Sequence, residues 1–307
     1  HRALKGSMLR REVYALDGHP QRAAHPYVVT EQSFAVRQLQ PRGDRRHGVF
    51  LAFPAESVTS HYERNPADPR VVHTLTLEVD EYGNVVREAT AAYARRTDDA
   101  TLPHDEDRER QRTPLVTCTR RRFTDPVQRP DDHHTPLPAE VLTYELTGLV
   151  PPDRRLRPDD LLDLGEEIGY EERPTAGRQH RLVHQVRTLY RSDDLEQLGG
   201  LESRALPGET YTLAFTPELL AAVFRREGED LVPDAAALLG AEGGYVDLDG
   251  DGRWWVPSGR EFLSPDDADT AADELAYART HFFRTCRFRD PFGSTTTVRH
   301  DDHDLLV

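Results

Sequence analysis

Apolar and polar side chains alternate with a period of two along much of this chain. Between Arg70 and Asp80, the residues Leu75, Leu77 and Val79 fall on one face of an extended strand. Thr74, Thr76 and Glu78 fall on the other. Glu81-Tyr82-Gly83-Asn84 supplies turn residues, and Val85 starts a return strand reaching about Arg95. A β-hairpin centred on Gly83 is therefore expected, with neighbouring strands on both edges. Further strands are expected at residues 26–38, 48–53, 57–63, 114–123, 140–148, 181–190, 210–215, 253–256, 282–289 and 295–300. The polar stretches 97–112, 125–138 and 151–160 read as solvated connections. Helices are few. Thr216-Pro217-Glu218 opens a short one, residues 234–239 suggest another, and Ser264-Pro265 opens an amphipathic segment running to His281. No βαβ alternation is visible, so a doubly wound sheet is disfavoured. The expected fold class is mainly β, a large antiparallel sheet with a few short helices.

Composition sharpens this picture. The chain has 307 residues, 39 Lys+Arg against 54 Asp+Glu, and a net charge of −15. It is 37% hydrophobic and 30% charged, polar for its size but with enough Val, Leu, Tyr and Phe for a core. The acid excess argues against nucleic acid as a partner, and no apolar run is long enough to span a membrane. Lys5 is the only lysine, which disfavours a phosphate-binding Gly-Lys-Ser/Thr loop, a kinase fold and a Schiff-base enzyme. Cys118 and Cys286 are far apart in sequence and form no C-x-x-C pair. The chain begins with His1 and shows no signal-peptide pattern, so a fragment of a larger protein is expected.

The most motif-like stretch is Asp247-Leu248-Asp249-Gly250-Asp251-Gly252. Carboxylates at alternate positions before a glycine are how a calcium loop begins, so Asp247, Asp249 and Asp251 are candidate calcium ligands. The twelfth position is Ser258 rather than Glu, and a metal-free turn is the plain alternative. The fourteen histidines include no H-E-x-x-H; His133-His134 and the 300–304 cluster are better read as solvated. Pro257-Ser258-Gly259 lacks the upstream glycine of a nucleophile elbow. Glu166-Glu167 and Glu171-Glu172 are acidic pairs of the kind expected by chance. Trp254-Trp255 reads either as a stacking platform or, alternating across a strand, as one core residue and one interface contact, and the second reading is preferred. No catalytic residue is assigned. Three readings stay open: a non-enzymatic structural module, a calcium-stabilised secreted β-rich binding module, and a hydrolase with a dispersed site.

Several blocks together resemble one family. They are residues 47–51, residues 61–70 (His-Tyr-Glu-Arg-Asn-Pro-Ala-Asp-Pro-Arg), residues 75–85, residues 213–216, residues 243–255 (Gly-Gly-Tyr-Val-Asp-Leu-Asp-Gly-Asp-Gly-Arg-Trp-Trp), and Phe288-Arg289-Asp290-Pro291-Phe292-Gly293. The chain resembles the middle to C-terminal region of the B component of bacterial insecticidal toxin complexes, the Tc toxins. Residues 290–307 look like the start of an RHS/YD-type β repeat. The resemblance implies a single β-rich segment, 1–307, in the wall of a hollow shell. In that family the B component joins a C component, and the shell encloses the toxic part of the C component. A propeller elsewhere in the B component docks the shell onto an A-component channel. The resemblance further implies a secreted, extracellular bacterial protein. No propeller repeats and no self-cleaving C component are present here, so docking, cleavage and toxicity are not assigned to these residues.

Overall fold

A computed structural model describes residues 2–149, 155–301 and 303–306. The chain is mainly β, as its periodicity implies. Among the described residues the main sheet has 12 strands. Ten of them form its path: β1 (Arg10–Val13), β2 (Val28–Gln40), β3 (Val49–His61), β4 (Arg70–Val79), β5 (Val85–Ala92), β6 (Leu115–Phe123), β7 (Pro138–Thr147), β8 (Gln179–Arg191), β9 (Leu206–Phe215) and β10 (Trp254–Pro257). Spatial order follows this order, so strands adjacent in the sheet are successive long strands of the chain. Such a meander needs only local reversals and no crossovers, which agrees with the absence of βαβ alternation. Two short strands, Glu166–Glu167 and Leu198–Gly199, add to β8. The chain divides into two compact units: residues 1–120 with 143–182, and residues 121–142 with 183–307.

In the first unit, register places matching residue types in rows across the strands. One row runs Glu56, Leu75, Ala89, Cys118, and the next runs Val58, His73, Ala91, Val116. Leu75, His73, Ala89, Ala91, Val116 and Cys118 are all buried. The intervening row is Ser57, Thr74, Thr90, Thr117, and it presents hydroxyls to the opposite face. The apolar face is covered by the segment from residue 155 to Ile168, whose Leu156, Leu161, Leu164 and Ile168 are buried. Arg87 fastens this strap by donating to the carbonyls of Leu161 and Leu162 at 2.8 and 3.0 Å.

The second unit adds a three-stranded sheet of β11 (Arg260–Phe262), β12 (Arg287–Arg289) and β13 (Thr295–Thr297). Four helices are present among the described residues: α1 (Pro20–Ala23), α2 (Asp105–Arg112), α3 (Pro217–Val223) and α4 (Ala271–Thr280). The Thr216 hydroxyl accepts from Leu219 N and caps α3, as its sequence implies. Leu195, Leu206, Leu263 and Ala278 form a core cluster, joined by Leu275 and Phe283. Inside it, Arg191 of β8 makes a two-pronged ion pair with Glu274 of α4, at 2.8 and 2.9 Å.

Several local expectations are corrected. Residues 48–53 and 57–63 are not two strands; Val49–His61 is continuous through Pro54. Pro54 sits opposite Phe34 at a register shift, and β4 pairs with β3 only from Glu56 onward. Its missing N–H therefore withholds no ladder bond from β4. Residues 97–112 are not all loop, since α2 occupies Asp105–Arg112. That helix has no apolar face; acids fill its first turn and arginines its last, which suits the helix dipole. The amphipathic segment begins as helix at Ala271 rather than at Ser264, because Thr270 and Asp273 form a reciprocal capping box there. The strand expected over 282–289 starts only at Arg287, because Phe282 and Phe283 take left-handed φ values of 59° and 52°. Residues 234–239 give a π-helical turn over Ala236–Glu242. Of the stretch 151–160, residues 151–154 lie outside the described residues; Leu156 is buried rather than solvated.

Candidate functional site

The hairpin centred on Gly83 is present, with β3 paired to one edge and β6 to the other. Its alternation is interrupted once. Thr76 pairs with Glu88 and Glu78 with Arg87, so Leu77 is an extra residue, balanced by Val86 before Val79 meets Val85. Leu75 is thus fully buried while Leu77 is only partly so.

The turn of this hairpin recurs. The Asp80 carboxylate accepts from Tyr82 N and Asn84 N at 2.9 and 2.8 Å, and Asp80 N donates to Asn84 O at 3.0 Å. Asp290 does the same with Phe292 N and Ser294 N at 2.9 and 2.8 Å, and its N–H meets Ser294 O at 3.0 Å. Asp301 repeats it with His303 N and Leu305 N, both at 2.9 Å, and its N–H meets Leu305 O at 2.9 Å. In each, the fourth residue is left-handed: Gly83 at 91°, Gly293 at 86° and Asp304 at 64°. An aspartate side chain satisfies two turn N–H groups, and a left-handed residue closes the reversal. Asp301 of the 300–304 cluster is thereby a turn residue; Asp302 lies outside the described residues.

The three candidate calcium ligands face different partners. Asp247 accepts from Asp251 N and Gly252 N, both at 3.1 Å. Asp251 accepts from Arg253 N at 3.0 Å. Asp249 accepts from Arg187 Nη1 at 2.6 Å. Among the described residues no group of three or more His, Cys, Asp or Glu side chains is placed to hold a metal ion. The cation at Asp249 is the Arg187 guanidinium, which also lies 4.8 Å from the Trp255 ring centroid and donates to Glu140 at 3.2 Å. Burial opposes the charge on Arg187, but Asp249 and Glu140 outweigh it and raise its pKa. Glu140, itself buried, also accepts from Arg122 at 2.8 Å and Gln185 at 2.6 Å. Trp255 is fully enclosed, and Trp254 is buried against a mainly apolar groove of about 350 Å³ with Leu220 and Phe224. The tryptophan pair is therefore core, and not an open stacking platform.

The other sequence candidates stay apart. His133-His134 forms a two-residue strand with Val127-Gln128. Glu166-Glu167 adds in parallel to Gln179-His180, while Glu172 accepts from Gly169 N at 3.1 Å. Cys118 and Cys286 are both buried free thiols.

One titratable cluster had no sequence signal beyond its place in an alternating strand. His73 is 1% exposed. Tyr93 accepts from Leu156 N at 2.9 Å, and its hydroxyl lies 2.9 Å from His73 Nδ1. With the Tyr93 O–H directed at Nδ1, the neutral ring carries its proton on Nε2, 3.6 Å from a Glu56 carboxylate oxygen. Burial, seconded by Arg155, pushes the His73 pKa down against the pull of Glu56. The cluster borders a groove of about 600 Å³ between β3, β4 and the strap. It links the strap to the sheet.

These features define a class: a meandering antiparallel β-sheet protein, whose first unit carries a strap over one sheet face and a row of hydroxyls on the other. Comparisons with known proteins point the same way. Residues 1–132 match the family described as the insecticide toxin TcdB middle/C-terminal region, which bears out the resemblance read from the sequence for that stretch. The TcdB2–TccC3 complex shares the fold at a TM-score of 0.65 and 24% identity, covering 99% of this chain and 16% of that one. The same complex without its hypervariable C-terminal region matches at 0.65, with 23% identity and coverage of 99% and 15%. The Photorhabdus luminescens Tc holotoxin pore matches at 0.63, with 22% identity and coverage of 99% and 15%. The chain thus spans about one-sixth of the chain length of the TcdB2–TccC3 structure it matches. No curated protein sequence matches it. Among the described residues no helix is long and apolar enough to cross a membrane.

Proposed function

We propose that this chain is a wall segment of the B component of an insecticidal Tc toxin. With a C component it builds the hollow β shell that encloses and carries the toxic payload. The observation supporting this most directly is the fold: one meander sheet whose likeness to TcdB2–TccC3 covers 99% of the chain. The sheet's chemistry is consistent with such a wall. The row Ser57, Thr74, Thr90 and Thr117 gives a face that tolerates water, and β1 leaves an unpaired edge that a neighbouring strand would satisfy. The recurring aspartate turn supports reading 290–307 as the beginning of an RHS/YD-like repeat. The partner of the segment is the C component. The A-component channel is reached through other parts of the parent protein, and the protein is secreted and extracellular. The chain performs no catalysis in this reading, and it contacts neither nucleic acid nor membrane. The calcium-stabilised binding module is less favoured, because Asp247, Asp249 and Asp251 are each engaged by the protein itself.

The test is electron microscopy of the full-length parent protein expressed with its candidate C component. A closed shell containing this segment in its wall is the expected result, and particles without a closed shell would overturn the reading. Assays on esters, peptides and glycosides check the non-enzymatic part. Reproducible turnover abolished by one point substitution would refute it.

A further inference from the structure

We propose that His73 is a proton-operated latch, whose protonation releases the first part of the strap, residues 155–160, from the sheet. The device lies within the first unit and is independent of the shell reading. It starts from an enclosure made by this chain's own residues. β4 carries His73, Val58 of β3 sits beside it in register, Tyr93 follows β5, and the strap closes the ring in.

The strap is held differently at its two ends. Its later part is stitched to the chain through backbone. Glu166 N donates to Arg178 O at 3.1 Å, and Ile168 N donates to His180 O at 2.9 Å. Arg87 grips the carbonyls of Leu161 and Leu162. The earlier part is joined through a side chain. Leu156 N donates to the Tyr93 hydroxyl at 2.9 Å, and that hydroxyl lies 2.9 Å from His73 Nδ1. One hydroxyl thus stands between the strap backbone and the imidazole.

A proton upsets this chain of donors. While the ring is neutral, Leu156 N–H donates to Tyr93 and the Tyr93 O–H donates to Nδ1. A protonated ring carries hydrogen on both nitrogens, so Nδ1–H meets the Tyr93 O–H donor to donor. The new charge is also enclosed, and an enclosed charge is costly unless it is paired. The charged and titratable groups around it are Glu56 from β3, Tyr93, and Arg155, Arg157, Asp159 and Asp160 from the strap. β5 and β6 contribute Ala91 and Val116 to the same row, and neither carries charge. Burial, with Arg155, outweighs the pull of Glu56 at 3.6 Å and keeps the enclosed ring neutral. Lifting residues 155–160 admits water and moves Arg155 away, so the open form binds the proton more tightly. An open-form pKa of about 6.5 limits the gain in opening between pH 7 and pH 5 to about 25-fold.

The test is hydrogen exchange of the full-length parent protein at pH 7 and pH 5, read by mass spectrometry and corrected for the intrinsic rate at each pH. Protection over residues 155–160 should fall several-fold at pH 5, up to that limit. Peptides from β4, β5 and residues 166–168 should keep theirs. His73→Gln should abolish the fall. Glu56→Gln keeps the histidine and removes the carboxylate that draws a proton to it, so the fall should deepen; this variant decides the matter if His73→Gln does not fold. Equal protection at the two pH values would overturn the proposal. So would a fall that survives in His73→Gln, which would assign it to the strap carboxylates. A fall shared by β4 and β5 would mean general loosening, and one that disappears in Glu56→Gln would make Glu56 the titrating group; each overturns the latch.

Discussion

Arg191 and Glu274 face each other through two parallel hydrogen bonds of 2.8 and 2.9 Å, each side chain only 5% exposed. The pair is closed by backbone on both sides. Leu263 N donates to Glu274 at 2.6 Å, and Arg191 donates to Leu195 O at 3.0 Å. It ties α4 to β8, and removing one partner leaves the other charged and buried. Arg191→Met should therefore destabilise the chain by about 3–5 kcal/mol, whereas the double variant Arg191→Met/Glu274→Met should recover much of the loss. Chemical denaturation of Arg191→Met, Glu274→Met and the double variant checks this; a double loss equal to the sum of the two single losses would show that no coupling exists.

Acid should act through the same pair. Burial works to raise the Glu274 pKa, but Arg191 and Leu263 N prevail and hold it below its ordinary 4.5. A carboxylate depressed in the folded state contributes stability that is full above its unfolded pKa. That contribution is lost as pH falls below about 4.5 and through the folded value. Glu274→Gln should flatten this acid limb relative to the parent chain in urea melts at stepped pH. An unchanged limb would sink the assignment.

His73 should shift stability at a higher pH and for the opposite electrostatic reason. Burial lowers its pKa from 6.5, so the folded state favours the neutral ring. The unfolded chain binds the proton first. Stability is therefore full above about 6.5 and falls as pH drops from there toward the folded pKa, where the loss levels off. The charged and titratable groups around the ring are Glu56 from β3, Tyr93 after β5, and Arg155, Asp159 and Asp160 from the strap. His73→Gln should show a smaller drop between pH 7 and 5 than the parent chain. Proteolysis within the strap at the two pH values gives an independent reading of the same loosening.

At the β4–β5 reversal, Gly83 has φ of 91°, and a Cβ there would come within 3.2 Å of the Leu51 side chain. Gly83→Val should cost about 1–2 kcal/mol or more, from the left-handed backbone alone. Asp80→Ala should cost a further ~1–2 kcal/mol by orphaning the N–H groups of Tyr82 and Asn84. A thermal melt decides both; a silent Gly83→Val would mean that the turn relaxes without strain.

The Asp247–Gly252 loop gives a prediction of the opposite kind. Asp249 is already paired with Arg187, so calcium at ~10⁻³ M, the weak-site range, should leave the melting temperature of the parent chain unchanged. Arg187→Met should lower stability by about 1–2 kcal/mol through the lost Trp255 and Asp249 contacts. Stabilisation of the parent chain by calcium, erased in Asp249→Ala, would restore the metal reading.

Much of the candidate site was legible in the order of residues. Period-two alternation in 71–79, with Gly83 and Asn84 after it, specified the hairpin, because strand pleat and positive-φ turns are local requirements. Thr216-Pro217 marked the start of α3 for the same reason. The residue blocks at 47–51, 61–70 and 75–85 resembled the Tc toxin B component without any contact being known, and the family match over residues 1–132 contains them. The local rules failed where distant groups competed. Leu77 departs from its alternating face because the pairing of β4 with β5 carries a bulge there. Pro54 stays within a strand because β4 does not extend to it.

Tertiary structure alone decided how the charges are used. Asp249, one of three aspartates spaced for a cation, is met by an arginine sixty-two positions away that stacks on Trp255. A histidine that alternates like any strand residue became a buried titratable group only when Tyr93 and the strap closed over it. Periodicity reports which face a side chain takes. Only the folded chain brings a partner to that face, because a buried charge must find its counter-charge wherever the packing places one.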